Sequence, residues 1–214
     1  MAPSPSPERT STSAHDAASE RGTVVTSSEA ALLLDLASTS IVDGLDGRPL
    51  RVPRVEDLPA ELRREVGAFV TLTVDGALNG CIGTIEGAGP LGQEVVRLAR
   101  SAAFADPRLP ALRREDLAGL AIEVSILSPF ELLDVGSRAQ LVRALRPGTD
   151  GLAIAAGPHR AVFLPDVWDQ LPDPDDFVDH LFRKGGLVPG TWPSSLAAHR
   201  FTTEHVERPF RPRA

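Results

Sequence analysis

The chain has 214 residues, a formal net charge of -7 and one cysteine. A chain of this length buries about 70% of its extended surface on folding, enough for an apolar core without staples, and a lone cysteine excludes an intrachain disulfide or a zinc site built from cysteine pairs. The acidic balance argues against a general electrostatic grip on nucleic acid or anionic lipid. No run approaches the ~18 apolar residues of a membrane span, and the N-terminus lacks the apolar stretch of a signal peptide. One cysteine fits a reducing compartment, so a cytoplasmic protein is expected. Tyrosine is absent, which removes it from the catalytic repertoire, and Lys184 is the only lysine beside a full complement of arginines.

Residues 1–25 are Ser, Thr, Pro and Ala with scattered charge and no periodicity, and are expected to be a disordered leader. Thr26-Ser27-Ser28-Glu29 has the capping-box form. The helix it opens places Leu33, Leu36, Ala37 and Ile41 on one face and ends near Gly44. A Pro-rich connection follows, with Asp57 as cap of a short helix through Pro59, Leu62 and Val66. Residues 68–74 alternate, Asp75-Gly76 follows, and a second apolar run covers 77–85. Asp-Gly between such runs marks a hairpin, because both turn positions need positive φ. Cys81 therefore sits within the second strand, between Gly80 and Gly83.

Residues 91–105 repeat apolar side chains at helical spacing, with a small-residue stripe suited to lying close on a sheet. Asp106-Pro107-Arg108-Leu109-Pro110 stops that helix. Residues 120–127 form a strand in which Glu123 shares a face with Ala121, Ser125 and Leu127. A helix is expected over 137–145, a hairpin over 150–156 and 160–164, a short helical stretch from Pro165, and a helix over 174–184 with Gly185 as its cap. The last strand is expected over 198–206. Recurrent hairpins without a βαβ glycine fingerprint or phosphate loop favour an α+β fold with a mainly antiparallel sheet and flanking helices. The expected organisation is a leader over 1–25, one domain over 26–207 and a flexible basic tail over 208–214.

Two readings of Leu78-Asn79-Gly80-Cys81-Ile82-Gly83-Thr84 stand side by side. Glycine weakens a strand interior, so two of them around a thiol suggest close approach of something to this backbone; alternatively, the strand bends and Cys81 is a small buried hydrophobe. A thiol acts as a nucleophile only with a base, cation or helix N-terminus nearby. Of the five histidines, His199 and His205 are six apart on one expected strand but lack a third ligand at characteristic spacing, so no metal site is expected. Lys184 at a helix C-terminus is explained by the helix dipole.

These motifs resemble, in order, those of the AMMECR domain family, whose microbial members are also called AmmeMemoRadiSam system protein A. The resemblance covers roughly residues 27–206. Residues 78–84 are similar to the signature Leu-Arg-Gly-Cys-Ile-Gly-Thr, and residues 106–110 to Asp-Pro-Arg-Phe-Pro. Residues 122–129 resemble the central strand, and Phe163-Leu164-Pro165-Asp166-Val167 and Arg183-Lys184-Gly185-Gly186 two later landmarks. Two positions depart from the family: Asn79 stands where the signature has arginine, and Asp150 stands where members commonly have histidine. The resemblance implies a two-lobed α+β fold and Memo-like and radical-SAM partner proteins. It supplies no established reaction and leaves any cofactor unknown.

Two functions follow as expectations. In the first, an enzyme or enzyme-system component works at a cleft around Cys81, with Glu123 and Asp150 as acid, base or orienting carboxylates. An aspartate of ordinary pKa near 4 is a poor base for a thiol near 8.5 unless burial raises it. In the second, a non-catalytic module binds a small molecule or peptide through Asn79, Gly80, Gly83, Thr84 and Arg108, with Cys81 structural. Nucleic-acid binding is disfavoured by charge.

Overall fold

The computed structural model, which describes residues 25–210, opens on helix α1 (Ser27–Leu45). Its start is a capping box: the Thr26 hydroxyl accepts from the Glu29 amide, and the Glu29 carboxylate accepts from the Thr26 amide at 2.8 Å. Strands β1 (Ala68–Val74) and β2 (Ala77–Thr84) form the expected hairpin, with Asp75 at φ 51° and Gly76 at φ 81°. Helix α2 (Leu91–Phe104) and strand β3 (Leu120–Leu127) follow.

The first sheet has the order β2-β1-β3-β8, with β8 at Thr203–Pro209, and is antiparallel throughout. Alternation gives it two faces. Val70, Leu72, Ile122 and Val124 pack with Leu33, Ile41, Val95 and Ala99 from α1 and α2 in one core, each fully buried leucine-sized side chain contributing about 1.5–3 kcal/mol. Phe69, Thr71, Glu123 and Ser125 take the opposite face.

A second lobe carries its own sheet and core. Its elements are β4 (Glu131–Leu132), α3 (Arg138–Ala144), β5 (Gly151–Ala156), β6 (His159–Phe163), α4 (Pro174–Lys184) and β7 (Ala197–Phe201), with strand order β4-β7-β5-β6. Leu152, Ile154, Phe177, Leu181 and Phe182 are buried together, and Trp168 stacks on Phe177 at 3.8 Å between ring centroids. The fold is α+β, with two antiparallel four-stranded sheets and four α-helices among the described residues.

Three expectations are corrected. The short helix through Leu62 is two 3-10 turns, Val55–Asp57 and Ala60–Arg63; Asp57 caps neither and takes the Arg54 guanidinium instead. The strand expected over 198–206 is two strands in different sheets, broken at Thr202, so His199 and His205 share no face. The basic end is not free as far as Phe210: β8 continues to Pro209, Arg208 is ion-paired with Asp35, and the Phe210 amide donates to the Leu120 carbonyl at 2.7 Å. At the end of α4 Gly185 is the expected C-cap, its amide donating to the Leu181 carbonyl at 3.0 Å, and Gly186 follows at φ 74°. The expected leader lies outside the described residues except Val25, which is buried in the first core.

Candidate functional site

Strand register builds the site. Cys81 faces Thr71, Thr71 faces Glu123 and Glu123 faces Glu207, a single row across four strands on the face turned away from α1 and α2. The next row on that face is Gly83, Phe69, Ser125 and His205. Cys81 and Glu123, singled out in the sequence, are thus brought to one surface. Cys81 is half-buried, and its Sγ accepts a hydrogen bond from Thr71 Oγ1 at 3.3 Å.

The edge of β2 at Cys81 is closed by side chains. Asp106 Oδ2 accepts from the Cys81 amide at 3.0 Å, and Arg108 Nη2 donates to the Cys81 carbonyl at 2.8 Å. The two side chains also grip each other, with Arg108 Nε 2.9 Å from Asp106 Oδ1 and Nη2 2.8 Å from Oδ2. They do for Cys81 what a neighbouring strand would do: supply one acceptor and one donor. The Arg108 side chain, the Cys81 amide and the Arg108 amide, in that order, hold the Asp106 carboxyl well below the usual carboxylate range. Asp106 in turn raises the pKa of Arg108, whose guanidinium is held against the Cys81 backbone by its bond to the carbonyl.

The glycines admit parts of the protein itself, the close approach to this backbone that the sequence suggested. A Cβ on Gly80 would fall 2.0 Å from the Ala102 carbonyl oxygen of α2, and one on Gly83 would fall 2.1 Å from the Phe69 ring. Asn79 occupies the irregularity in the β1–β2 register, between the Leu72–Gly80 and Thr73–Leu78 pairs. Its Oδ1 is buried and, among the described residues, unpartnered; so is Thr84 Oγ1.

Asp150 does not join the row. It is fully buried, takes the Arg146 amide at 2.8 Å and the Arg146 Nε at 2.9 Å, and belongs to the loop that its own carbonyl ties to Trp168 Nε1. That carboxylate is a structural partner for an arginine, and no hydrogen bond links it to Cys81 or Glu123.

The sequence weighed His205 only as a metal ligand and gave Ser125 no role at this site. Ser125 Oγ donates to Glu123 Oε1 at 3.0 Å, and His205 Nδ1 is 3.3 Å from the same oxygen. The bond to Glu123 raises the pKa of His205, and the bond from His205 lowers that of Glu123. His205 Nε2 is 3.7 Å from Asp166 of the second lobe. This is no nucleophile relay: Ser125 and Glu123 meet the same ring nitrogen, whereas a relay needs opposite nitrogens. Only register, which joins residues 71, 81, 123 and 205 across the sheet, reveals this grouping.

Beside the Cys81 row a cleft of about 540 Å³ separates the lobes. Phe69 and Gly83 form one wall; Val162, Phe163, Asp166 and Lys184 form the other. Lys184 donates to the Val162 carbonyl at 2.9 Å and lies 5.1 Å from the Phe163 ring centroid, contacts that the helix dipole alone did not suggest. Among the described residues no group of three His, Cys, Asp or Glu side chains is placed to hold a metal ion, and no helix is long and apolar enough to cross a membrane.

A two-lobed α+β chain with a thiol on the open face of one sheet is the class of protein these observations define. The AMMECR1 family pattern matches residues 34–206, and the chain belongs to that family. A protein of Methanothermobacter thermautotrophicus is 39% identical over 163 residues, covering 75% of this chain and 84% of its own length. Protein PF1979 of Pyrococcus furiosus is 32% identical over 190 residues, covering 83% and 87%. The crystal structure of the uncharacterized protein PH0010 from Pyrococcus horikoshii superposes with a TM-score of 0.75 at 31% identity, covering 88% of this chain and 95% of that one.

Proposed function

We propose that the protein is a component of a cytoplasmic enzyme system, working at the open face around Cys81 and the adjoining cleft, with Memo-like and radical-SAM proteins as partners. The observation that carries this reading is the row of Cys81, Thr71 and Glu123 beside a cleft of about 540 Å³, a size suited to a small molecule or part of a partner. A self-activated nucleophile asks for a base on sulfur. Here Asp106 is taken by the Cys81 amide and Arg108, and Glu123 by Ser125 and His205. The positive charge of Arg108 is matched by Asp106. Cys81 is then a contact group for a ligand or partner, and chemistry is supplied by the system.

Purified Memo-like and radical-SAM proteins from the same genome provide the test. Association with the wild-type chain and its loss in Cys81→Ser, with the circular dichroism spectrum kept, is the expected result; a Cys81→Ser protein that associates and functions unchanged sinks the reading. One observation favours a nucleophilic Cys81 instead, the Arg108 guanidinium bonded to the carbonyl of the same residue. Iodoacetamide labelling of the folded protein against pH separates the two: alkylation well below the ordinary thiol range near 8.5 supports the nucleophile.

A further inference from the structure

A second cavity, of about 530 Å³, lies on the outward face of the other sheet. Ile85 and Val162 line both cavities and form the partition between this one and the cleft beside Cys81. Its floor follows from register. His199, Ala153 and Val162 form one row across β7, β5 and β6, and Ala197, Ala155 and Arg160 form the next. The centre of the face therefore carries only methyl groups, while taller side chains stand on both sides. On one side Phe130 meets His199 edge-on, ring centroids 6.4 Å apart at 89°. On the other side stands Arg160. A trough with a methyl floor and an aromatic wall has the shape of a slot for a flat ring, whose edge Phe130 can meet and whose face a guanidinium can cover.

The charges at its rim narrow the ligand. Arg160 and Glu86 line the same cavity, and neither has an ion-pair partner among the described residues. Opposite charges that share a cavity without pairing leave a gap that a molecule bearing both charges would fill, its carboxylate on Arg160 and its ammonium on Glu86. We infer that this trough is a binding site for a free aromatic amino acid, ring on the Ala153–Ala155 floor and zwitterion held between Arg160 and Glu86.

Isothermal titration of the full chain with L-tryptophan, tryptamine and indole-3-propionate tests the inference. L-Tryptophan is expected to bind saturably, one molecule per chain, with each single-charge analogue weaker by about tenfold or more, as loss of one charge-assisted hydrogen bond requires. Arg160→Ala should weaken L-tryptophan by a similar factor and tryptamine, which keeps the ring but has no carboxylate, by clearly less. Ala153→Leu, which fills the floor from the outer face, should abolish binding, whereas Lys184→Met in the first cleft should change nothing. Absence of saturable binding for L-tryptophan, L-tyrosine and L-phenylalanine alike overturns the proposal. So does an affinity unmoved by Arg160→Ala, a surface change that the fold tolerates even if Ala153→Leu does not, or indole-3-propionate binding as tightly as L-tryptophan. Because the cavity is separate from the Cys81 row, this result stands apart from the Cys81→Ser test.

Discussion

At the scale of single residues, the chemistry around Cys81 is set by what its neighbours have already been committed to. Asp106 has no capacity left for the thiol, because its oxygens hold the Cys81 amide and the Arg108 guanidinium and amide. Asp106→Asn removes the charge from that acceptor; the Cys81 amide should exchange faster with deuterium and the urea midpoint should fall. Its pH dependence has a definite sign. A carboxyl whose pKa is lowered on folding contributes stability above its unfolded value, near 3.9, and that contribution is lost as pH falls toward the folded value. Urea titrations at about pH 5 and about pH 3 should show a smaller acid loss in Asp106→Asn than in the wild type. The Glu123–His205 pair has two limits. The raised His205 pKa gives stability that is complete below its ordinary value of 6.5 and is lost as pH rises through the folded value; the lowered Glu123 pKa gives stability lost as pH falls below 4.5. The pair therefore contributes most between those ordinary values. Glu123→Gln should lower the His205 pKa, followed by its imidazole proton shifts in NMR.

Among the elements, two glycines of one hairpin show how differently the same residue type can be required. Gly76 sits at φ 81° with nothing within 4 Å of its missing Cβ, so Gly76→Ala should cost about 1–2 kcal/mol through backbone strain alone. Gly80 is needed for contact: an alanine there meets a backbone carbonyl of α2, and overpacking of this kind costs about 1–3 kcal/mol and displaces the helix. Guanidinium denaturation of both variants checks this. If α2 shifts, Gly80→Ala should also perturb Ala102 amide exchange, while Gly76→Ala should not. The hairpin was legible because Asp-Gly dictates its turn, α1 because Thr26 and Glu29 declare its start, and α2 because its apolar spacing is regular. The break at Thr202 was not, since alternation continues through residues 198–206 and a change of sheet leaves no local mark. The site divided likewise. The thiol and Glu123 carry visible chemistry, whereas Thr71 and His205 acquire meaning only through register, and Asp106 only through its bond to the Cys81 amide. Asp150 read as reactive because a carboxylate next to Gly151 gives no hint in sequence of the Arg146 pairing that buries it.

On the scale of the whole molecule, two cores share one chain that crosses between them twice, and the crossings run side by side. The Ser128 amide donates to the Thr202 carbonyl at 2.9 Å, and Ser128 Oγ accepts from the Thr202 amide at 2.9 Å. Both tryptophans, Trp168 and Trp192, belong to the second core, so their fluorescence reports on that lobe while circular dichroism reports on both. Leu33→Ala opens the first core and should cost about 2–5 kcal/mol. If the paired crossings make the lobes one cooperative unit, the tryptophan midpoint should fall with the circular dichroism midpoint; a fluorescence transition that stays put would show that the lobes unfold separately. The same crossings have a consequence during synthesis. Strand β3 pairs on its outer side only with β8, and the whole second lobe lies between them in the chain. At the roughly 5–20 residues per second of translation, the β3 edge waits on the order of 4–15 s for its partner. For that interval a nascent chain exposes an apolar strand to its neighbours on the same message, which makes the outer edge of β3 the place where a chaperone is most needed.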